Sequence, residues 1–380
     1  MNNNEIYKIY GTEYKNMTIR LLKEADLGSL LAAKARECNY ENQYKLRIGI
    51  KPNLVSPTPA DYGATTHPEV VAGIIEYIRL LGYDNICIME GCWIGDKTSD
   101  AFEYCGYNSL AQQTDVRLID MQLSSSHEID ADGMLLNVCE EVNNIDFLIN
   151  VPVLKGHCQT KITCALKNMK GLIPNSEKRR FHAMGLHDPI AHLNRYVKQD
   201  FIVVDHICGD LDFEGGGNPH VSNCVMAAID PVLTDAYVCS LLGYKVRDVD
   251  YIMESAKMGV GSADLNNLKT VTVGDGEFGL EKCPEETLPQ LHKVLELSYH
   301  AEELDTCSAC YEALMEALDR LEEEHLLEML KTKICIGQGY RGRTGEFGVG
   351  NCTRLFRHTV SGCPPTADDI YDAVKNLINR

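Results

Sequence analysis

Leu46-Arg-Ile-Gly-Ile50, Pro68 to Leu81 and Asn85-Ile-Cys-Ile-Met89 together decide the fold, because they spell strand, helix, strand within 44 residues. The first run is a short apolar strand that ends in Lys51-Pro52-Asn53. Pro68 suits the first turn of a helix, Val70, Val71, Ile74, Ile75 and Ile78 line one face of it, and Gly82 stops it. The third run is a second strand, ending at Glu90-Gly91. Phe147-Leu-Ile-Asn-Val-Pro-Val-Leu154 and Phe201-Ile-Val-Val-Asp205 continue the alternation, so the chain reads as α/β, layered, with largely parallel sheet. Open sheets of this kind place ligands beyond the strand ends. Lys51, Asn53, Glu90, Lys155, His157 and Asp205 fall at such ends.

The chain has 380 residues, enough for two or three domains with a well-buried core. Its 36 basic and 55 acidic side chains leave a net charge of −19, which argues against nucleic acid or an anionic membrane as partner. No apolar run reaches the ~20 residues needed to span a bilayer. The N-terminus, Met1-Asn-Asn-Asn-Glu5, has neither a basic nor an apolar leader region. Sixteen cysteines in a chain without an export signal read as reduced thiols and metal ligands, and a reducing, anaerobic cytoplasm is the expected setting.

Four of those cysteines stand apart, in Cys307-Ser-Ala-Cys310, Gly350-Asn-Cys352 and Gly362-Cys363-Pro364-Pro365. A C-x-x-C pair brings two thiolates to one site from a single turn, and two further cysteines on separate loops can complete a four-ligand shell, as a [4Fe–4S] cluster requires. A four-cysteine zinc site and inert buried thiols are the alternatives. Zinc ribbons usually supply two close C-x-x-C pairs, whereas here the second pair is split by ten residues. Ala309 to Leu330 reads as a helix with Leu314, Leu318 and Leu321 on one stripe, which puts the C-x-x-C at its N-terminus, where the helix dipole favours thiolate. Lys333-Ile-Cys-Ile336 reads as a strand, and Thr366 as the cap of a helix whose apolar face is Ile370, Ala373, Val374, Leu377 and Ile378. The segment resembles the proximal-cluster region of nickel–iron hydrogenase small subunits, which also ends in Gly-Cys-Pro-Pro before a helix.

The densest polar chemistry lies between Asn150 and Pro219. It runs Lys155-Gly-His157, Thr163-Cys-Ala-Leu-Lys167-Asn168, Phe181-His182, His187, Asp205 and Glu214-Gly-Gly-Gly-Asn-Pro219. With Lys51-Pro-Asn53, Ala64-Thr-Thr-His67-Pro-Glu69 and Asp230-Pro-Val-Leu-Thr-Asp235, these blocks resemble the family called domain of unknown function 362, over about residues 46 to 240. Many members carry iron–sulfur modules, which the resemblance therefore implies here; it supplies no reaction. From the residues themselves, Lys155, Lys167, His182 and His187 form a cationic set able to hold a carboxylate or phosphate. Lys51, Asn53, His67, Glu90 and Asn168 are further binding candidates. His157, His182 and His187 are candidate proton carriers, with Asp205 or Glu214 to orient them.

Thr163 and Lys167 are expected on one face of a helical turn, at i and i+4. Asp230 and Asp235 suit helix capping as well as ligand binding. Cys158, Cys164, Cys208 and Cys224 fit no ligand spacing and read as buried hydrophobes. Gly215-Gly-Gly217 lacks the Lys-Ser or Lys-Thr of a nucleotide loop and reads as a loop beside the substrate.

The expected division is an N-terminal α/β region over 1–145, a central one over 146–300, and a small cysteine-rich α/β cluster module over 301–380; the first two can be halves of one domain. The function expected is an iron–sulfur oxidoreductase that passes electrons between a [4Fe–4S] cluster and a small anionic substrate or redox protein. The alternatives are a non-redox isomerase with a structural cluster, resembling lactate racemase-type enzymes in residue types and layout, and a pure electron-carrier subunit.

Overall fold

The structure is a computed structural model that describes residues 1–274, 288 and 293–378. Contacts divide the chain into two compact units. The larger holds Met1–Gly156, Ile162–Phe181 and His187–Gln290; the smaller holds His157–Lys161, His182–Leu186 and Leu291–Arg380.

The larger unit is built on an eight-stranded sheet. From one edge to the other its strands are Lys269–Thr272, Glu5–Tyr10, Pro219–Ala228, Phe201–Asp210, Phe147–Val151, Ile48–Pro52, Ile86–Glu90 and Arg117–Asp120. Every neighbouring pair from Phe201–Asp210 to Arg117–Asp120 is parallel, with Ile50 opposite both Ile149 and Ile88. Pro219–Ala228 runs antiparallel to both of its neighbours. All five residues of Ile48–Pro52, Ile86–Glu90 and Phe147–Val151 are buried, as are all ten of Phe201–Asp210. Strands covered on both faces are largely apolar, so the near-continuous hydrophobic runs of the sequence become the central, parallel part of the sheet.

The helix expected over Pro68 to Leu81 spans Pro68–Leu80, with Pro68 in its first turn and Val70, Val71, Ile74, Ile75 and Ile78 buried. Thr163 departs from expectation. It ends the strand Lys161–Thr163, and the helix begins only at Ala165. The non-helical backbone of Cys164, φ −156° and ψ −132°, separates the two, so Thr163 and Lys167 do not share a helical face.

The smaller unit contains a four-stranded, all-parallel sheet of Ala301–Glu303, Ile334–Ile336, Phe347–Val349 and His358–Val360. The helix Ser308–Glu323 buries Leu314, Leu318 and Leu321 as expected, but ends well before Leu330. Glu322, Glu323 and Glu324 crowd the negative end of the helix dipole, and His325 turns to φ 58°, which halts propagation. Thr366 Oγ1 accepts from the Asp369 N–H at 3.1 Å and caps Ala367–Ile378, whose Ile370 and Val374 are buried. From the sequence, Pro289 to His300 also reads as a helix; Lys293–Ser298 is helical, and residues 289–292 lie outside the described residues. Among the described residues no helix is long and apolar enough to cross a membrane.

Candidate functional site

In the larger unit the parallel strand ends deliver charge into the interior. Lys51 and Glu90 close adjacent strands, and Lys51 Nζ donates to Glu90 Oε2 at 2.7 Å, to the Pro52 carbonyl at 2.7 Å and to Asn168 Oδ1 at 3.3 Å. Glu90 Oε2 also accepts from the Leu54 N–H, and Oε1 accepts from the Gly91 N–H. Burial lowers the Lys51 pKa, and the Glu90 carboxylate only partly offsets it. Gly171 makes this packing possible: a Cβ there would lie 2.5 Å from Lys51 Nζ and collide with Glu90 Oε1. Lys178 reaches the same charge cluster, donating to the carbonyls of Gly91 and Cys92 at 2.8 Å each. Burial brings its pKa down to about 8, against a partial pull upward from Glu90.

Lys155, fully buried, donates to Asn53 Oδ1 at 3.1 Å, to the Ala64 carbonyl at 2.6 Å and to the Glu214 carbonyl at 2.9 Å. Lys167 is paired with the Glu214 carboxylate, and the Thr163 hydroxyl donates to the same carboxylate at 3.5 Å. Thr163 and Lys167 thus meet at Glu214 from a strand and a helix. The helix that carries Lys167 and Asn168 is fastened by Asp235, whose oxygens accept from Ala165 N–H at 2.7 Å and Leu166 N–H at 3.2 Å. Burial raises the Asp235 pKa to about 7, although those bonds pull it down. Asp230 caps its own helix through Val232 and Leu233.

His67 lies between two carboxylates. Asp205 Oδ2 accepts from its backbone N–H at 2.7 Å and lies 2.9 Å from Nδ1, while Asp61 is 3.6 Å from Nε2. Burial on its own would lower the His67 pKa; the charge and hydrogen bond of Asp205 outweigh it and the net shift is upward. Asp205 therefore orients a histidine, and that histidine is His67.

Lys51, Asn53, His67, Glu90, Lys155, Lys167, Asn168, Asp205 and Glu214 all belong to the larger unit. His187 does too, and its Nδ1 accepts from the Tyr251 N–H at 3.1 Å with the rings stacked. His157 and His182, both buried, belong to the smaller unit. His157 Nδ1 accepts from the N–H groups of Gln159 and Thr160 at 3.0 Å, which leaves the proton of the neutral ring on Nε2.

The smaller unit also carries the four singled-out cysteines. Cys307 caps the helix Ser308–Glu323, and Cys310 sits in its first turn. A hydrogen bond from Cys310 lowers the Cys307 pKa to about 6. The Cys310 pKa is driven strongly upward by that bond, by burial and by the charges of Cys307, Cys363 and Cys352. Cys352 above all, with Cys363 and Cys307, raises the Arg341 pKa. Gly350, at φ 86°, brings its backbone so near Cys310 that a Cβ would lie 3.5 Å from Sγ. Cys310 is buried, Cys307 and Cys352 are half-buried, and Cys363 is exposed. Among the described residues, no three or more His, Cys, Asp or Glu form a set arranged to hold a single metal ion.

Lys178, Asn150, Thr66 and Gln199 join the buried network without having been singled out from the sequence. Asn150 carried a signal: an amide inside the otherwise apolar strand Phe147–Val151 needs partners. Lys178 carried none, hidden in the charged run Glu177-Lys-Arg-Arg180.

Three comparisons bear on this chain. Thylakoid-associated protein sll1697 of Synechocystis sp. (strain ATCC 27184 / PCC 6803 / Kazusa) is 27% identical over 188 residues, 46% of this chain and 54% of that protein. The chain thus spans about half the length of that curated relative. The lactate racemase apoprotein from Thermoanaerobacterium thermosaccharolyticum aligns with a TM-score of 0.41 at 13% identity, over 62% of this chain and 56% of that one. A family model described as Domain of unknown function (DUF362) matches residues 48–240. Its span takes in the strand ends, Asn168, the His67–Asp205 pair and Glu214, and with half of its residues inside that model the chain belongs to the DUF362 family.

Proposed function

We propose that the protein is an iron–sulfur oxidoreductase whose Cys307, Cys310, Cys352 and Cys363 hold a [4Fe–4S] cluster, and whose buried lysine cluster takes a small anion. The observation that carries the reading is the convergence of the three cysteine segments: the Asn351 N–H donates to the Gly362 carbonyl at 2.9 Å, the Gly362 N–H donates to Asn351 Oδ1 at 3.0 Å, and Gly350 lies beside Cys310 Sγ. Thiolates so grouped suit an electron-poor inorganic core, and Gly350 supplies the positive φ that the loop before Cys352 takes. A bound cluster of this type supplies or accepts single electrons.

The chain's own residues do the rest. Lys51, Lys155, Lys167 and Lys178 set four cations against Glu90 and Glu214, an excess that favours a carboxylate or phosphate inside an acidic protein. His67, oriented by Asp205, is the group able to hold or release a proton near neutral pH. The same pair supports a second reading, a non-redox isomerase in which the cluster is structural, since proton transfer needs no electron carrier. The exposed Cys363 suits exchange of electrons with a redox protein.

Anaerobic purification followed by iron and acid-labile sulfide analysis tests the first reading. About four of each per chain are expected, with an electron paramagnetic resonance signal on reduction. Zinc without sulfide overturns it. A cluster that stays in one oxidation state across the accessible potential range favours the isomerase.

A further inference from the structure

A cleft of about 610 Å³ opens on the larger unit away from the lysines, lined among others by Asn194, Arg195, Lys198, Gln199, Asp230 and Asp264. That volume suits a small metabolite. Arg195 and Lys198 are both exposed, and neither side chain has a hydrogen-bond or ion-pair partner among the described residues. The two acids that also line the cleft bond to backbone and amide groups and not to these cations. Asp230 accepts from the N–H groups of Val232, Leu233 and Ser262, and Asp264 accepts from Asn266 and Asn267. The cations are therefore available to an incoming anion.

The floor of this cleft is wired to the lysine cluster. Lys155 Nζ donates to Asn53 Oδ1 at 3.1 Å, and Asn53 Nδ2 donates to Asn168 Oδ1 at 2.9 Å. Asn168 Nδ2 donates to Asn150 Oδ1 at 2.7 Å, Asn150 Nδ2 to Gln199 Oε1 at 2.6 Å, and Gln199 Nε2 to Asn194 Oδ1 at 2.7 Å. Asn194 Nδ2 ends the chain on the carbonyls of Leu166 and Ile190. Chemistry fixes the direction at both ends: ammonium groups only donate and carbonyls only accept, so no amide in between can flip without breaking two bonds. All five amides are buried, where such chains polarise one another and tolerate no half-satisfied member.

We propose that the cleft is a second anion site, taking the phosphate or carboxylate group of a small molecule on Arg195 and Lys198, and that the amide chain links its occupancy to the lysine cluster. An anion at the mouth acts on the Asn194 and Gln199 dipoles, and any adjustment there reaches Asn168 and Asn53, the acceptors for Lys51 and Lys155. The inference stands on the larger unit alone and survives if no cluster is found.

Side-chain amide signals of protein labelled with ¹⁵N-Asn and ¹⁵N-Gln test it, during titration with inorganic phosphate and, separately, with succinate. Saturable shifts of Gln199 and Asn194 are expected with at least one of them, and which one responds names the source of the anion. The shifts should weaken at least tenfold in apparent affinity in Arg195→Ser/Lys198→Ser and persist in Lys155→Met. Shifts lost in Lys155→Met but kept in the double variant would mean that anions bind only at the lysines, and would overturn the site. No saturable shift with either anion would also overturn it. In Gln199→Leu the anion should still bind by calorimetry while the Asn168 signal stops responding; an unchanged Asn168 response would overturn the link.

Discussion

His67 and Asp205 meet at 2.9 Å in a site where His67 is almost fully buried, and that geometry makes a pH prediction. The folded His67 binds its proton more tightly than the unfolded chain does, because Asp205 outweighs burial. Its contribution to stability is then fully present below the unfolded value of about 6.5 and is lost as pH rises through the folded value. Urea unfolding from pH 5 to 8 should show stability falling; Asp235, raised to about 7, adds a fall of the same sign up to that pH, so Asp205→Asn should lessen the fall without abolishing it. An Asp205→Asn variant with the wild-type slope would show that none of the fall comes from His67. Lys178 gives the opposite sign. With its pKa brought from 10.5 to about 8, the folded state gives up a proton that the unfolded state keeps between those values, so stability rises with pH there by up to about 3 kcal/mol. Lys178→Met should lose that rise; retention of it would place the titration elsewhere.

Short elements, more than long ones, place the site. The helix Ala165–Asn168 has four residues, too few to hold itself together, and it stands because Asp235 fastens its first N–H groups and Asn168 is bonded on several sides. This is why Thr163 to Lys167 misread as one helical turn: local spacing favoured it, while the fastening comes from a residue 70 positions away. The long helices and central strands were legible because their apolar period is set by burial against the sheet. Capping by Asp235 was legible as a possibility, but which helix it fastens was not, since capping of another element leaves no mark in the sequence around it. The next turn, Met169–Leu172, carries Gly171 against the Lys51–Glu90 pair. Gly171→Ala should force that pair apart and cost about 3 kcal/mol or more, combining overpacking with a strained buried ion pair. Chemical denaturation measures this, and a loss below about 1 kcal/mol would show that the turn can yield.

Across the whole molecule, the parallel core and the strand-end residues were readable because one physical rule, burial of both sheet faces, writes itself into continuous apolar runs ending in polar residues. What was not readable was which polar residues of different segments share a site. Lys155 and Lys167 do, through Glu214, whereas His157 and His182 belong to the other unit. The same distinction bears on the cysteines, most of which are buried. Cys224 lies fully buried within the strand Pro219–Ala228 of the larger unit, as a small hydrophobe would, while Cys363 is exposed and acts on Cys310 in the smaller unit. Cys363→Ala should therefore cost the protein its iron and sulfide under anaerobic preparation, and Cys224→Ala should leave both at the wild-type level with only a modest loss of stability, about 1 kcal/mol for a small buried side chain. Circular dichroism on both variants separates loss of the cluster from loss of the fold. Equal depletion of iron in two folded variants would mean that the ligands had been assigned to the wrong thiols, and unchanged iron in both would remove Cys363 from the ligand set.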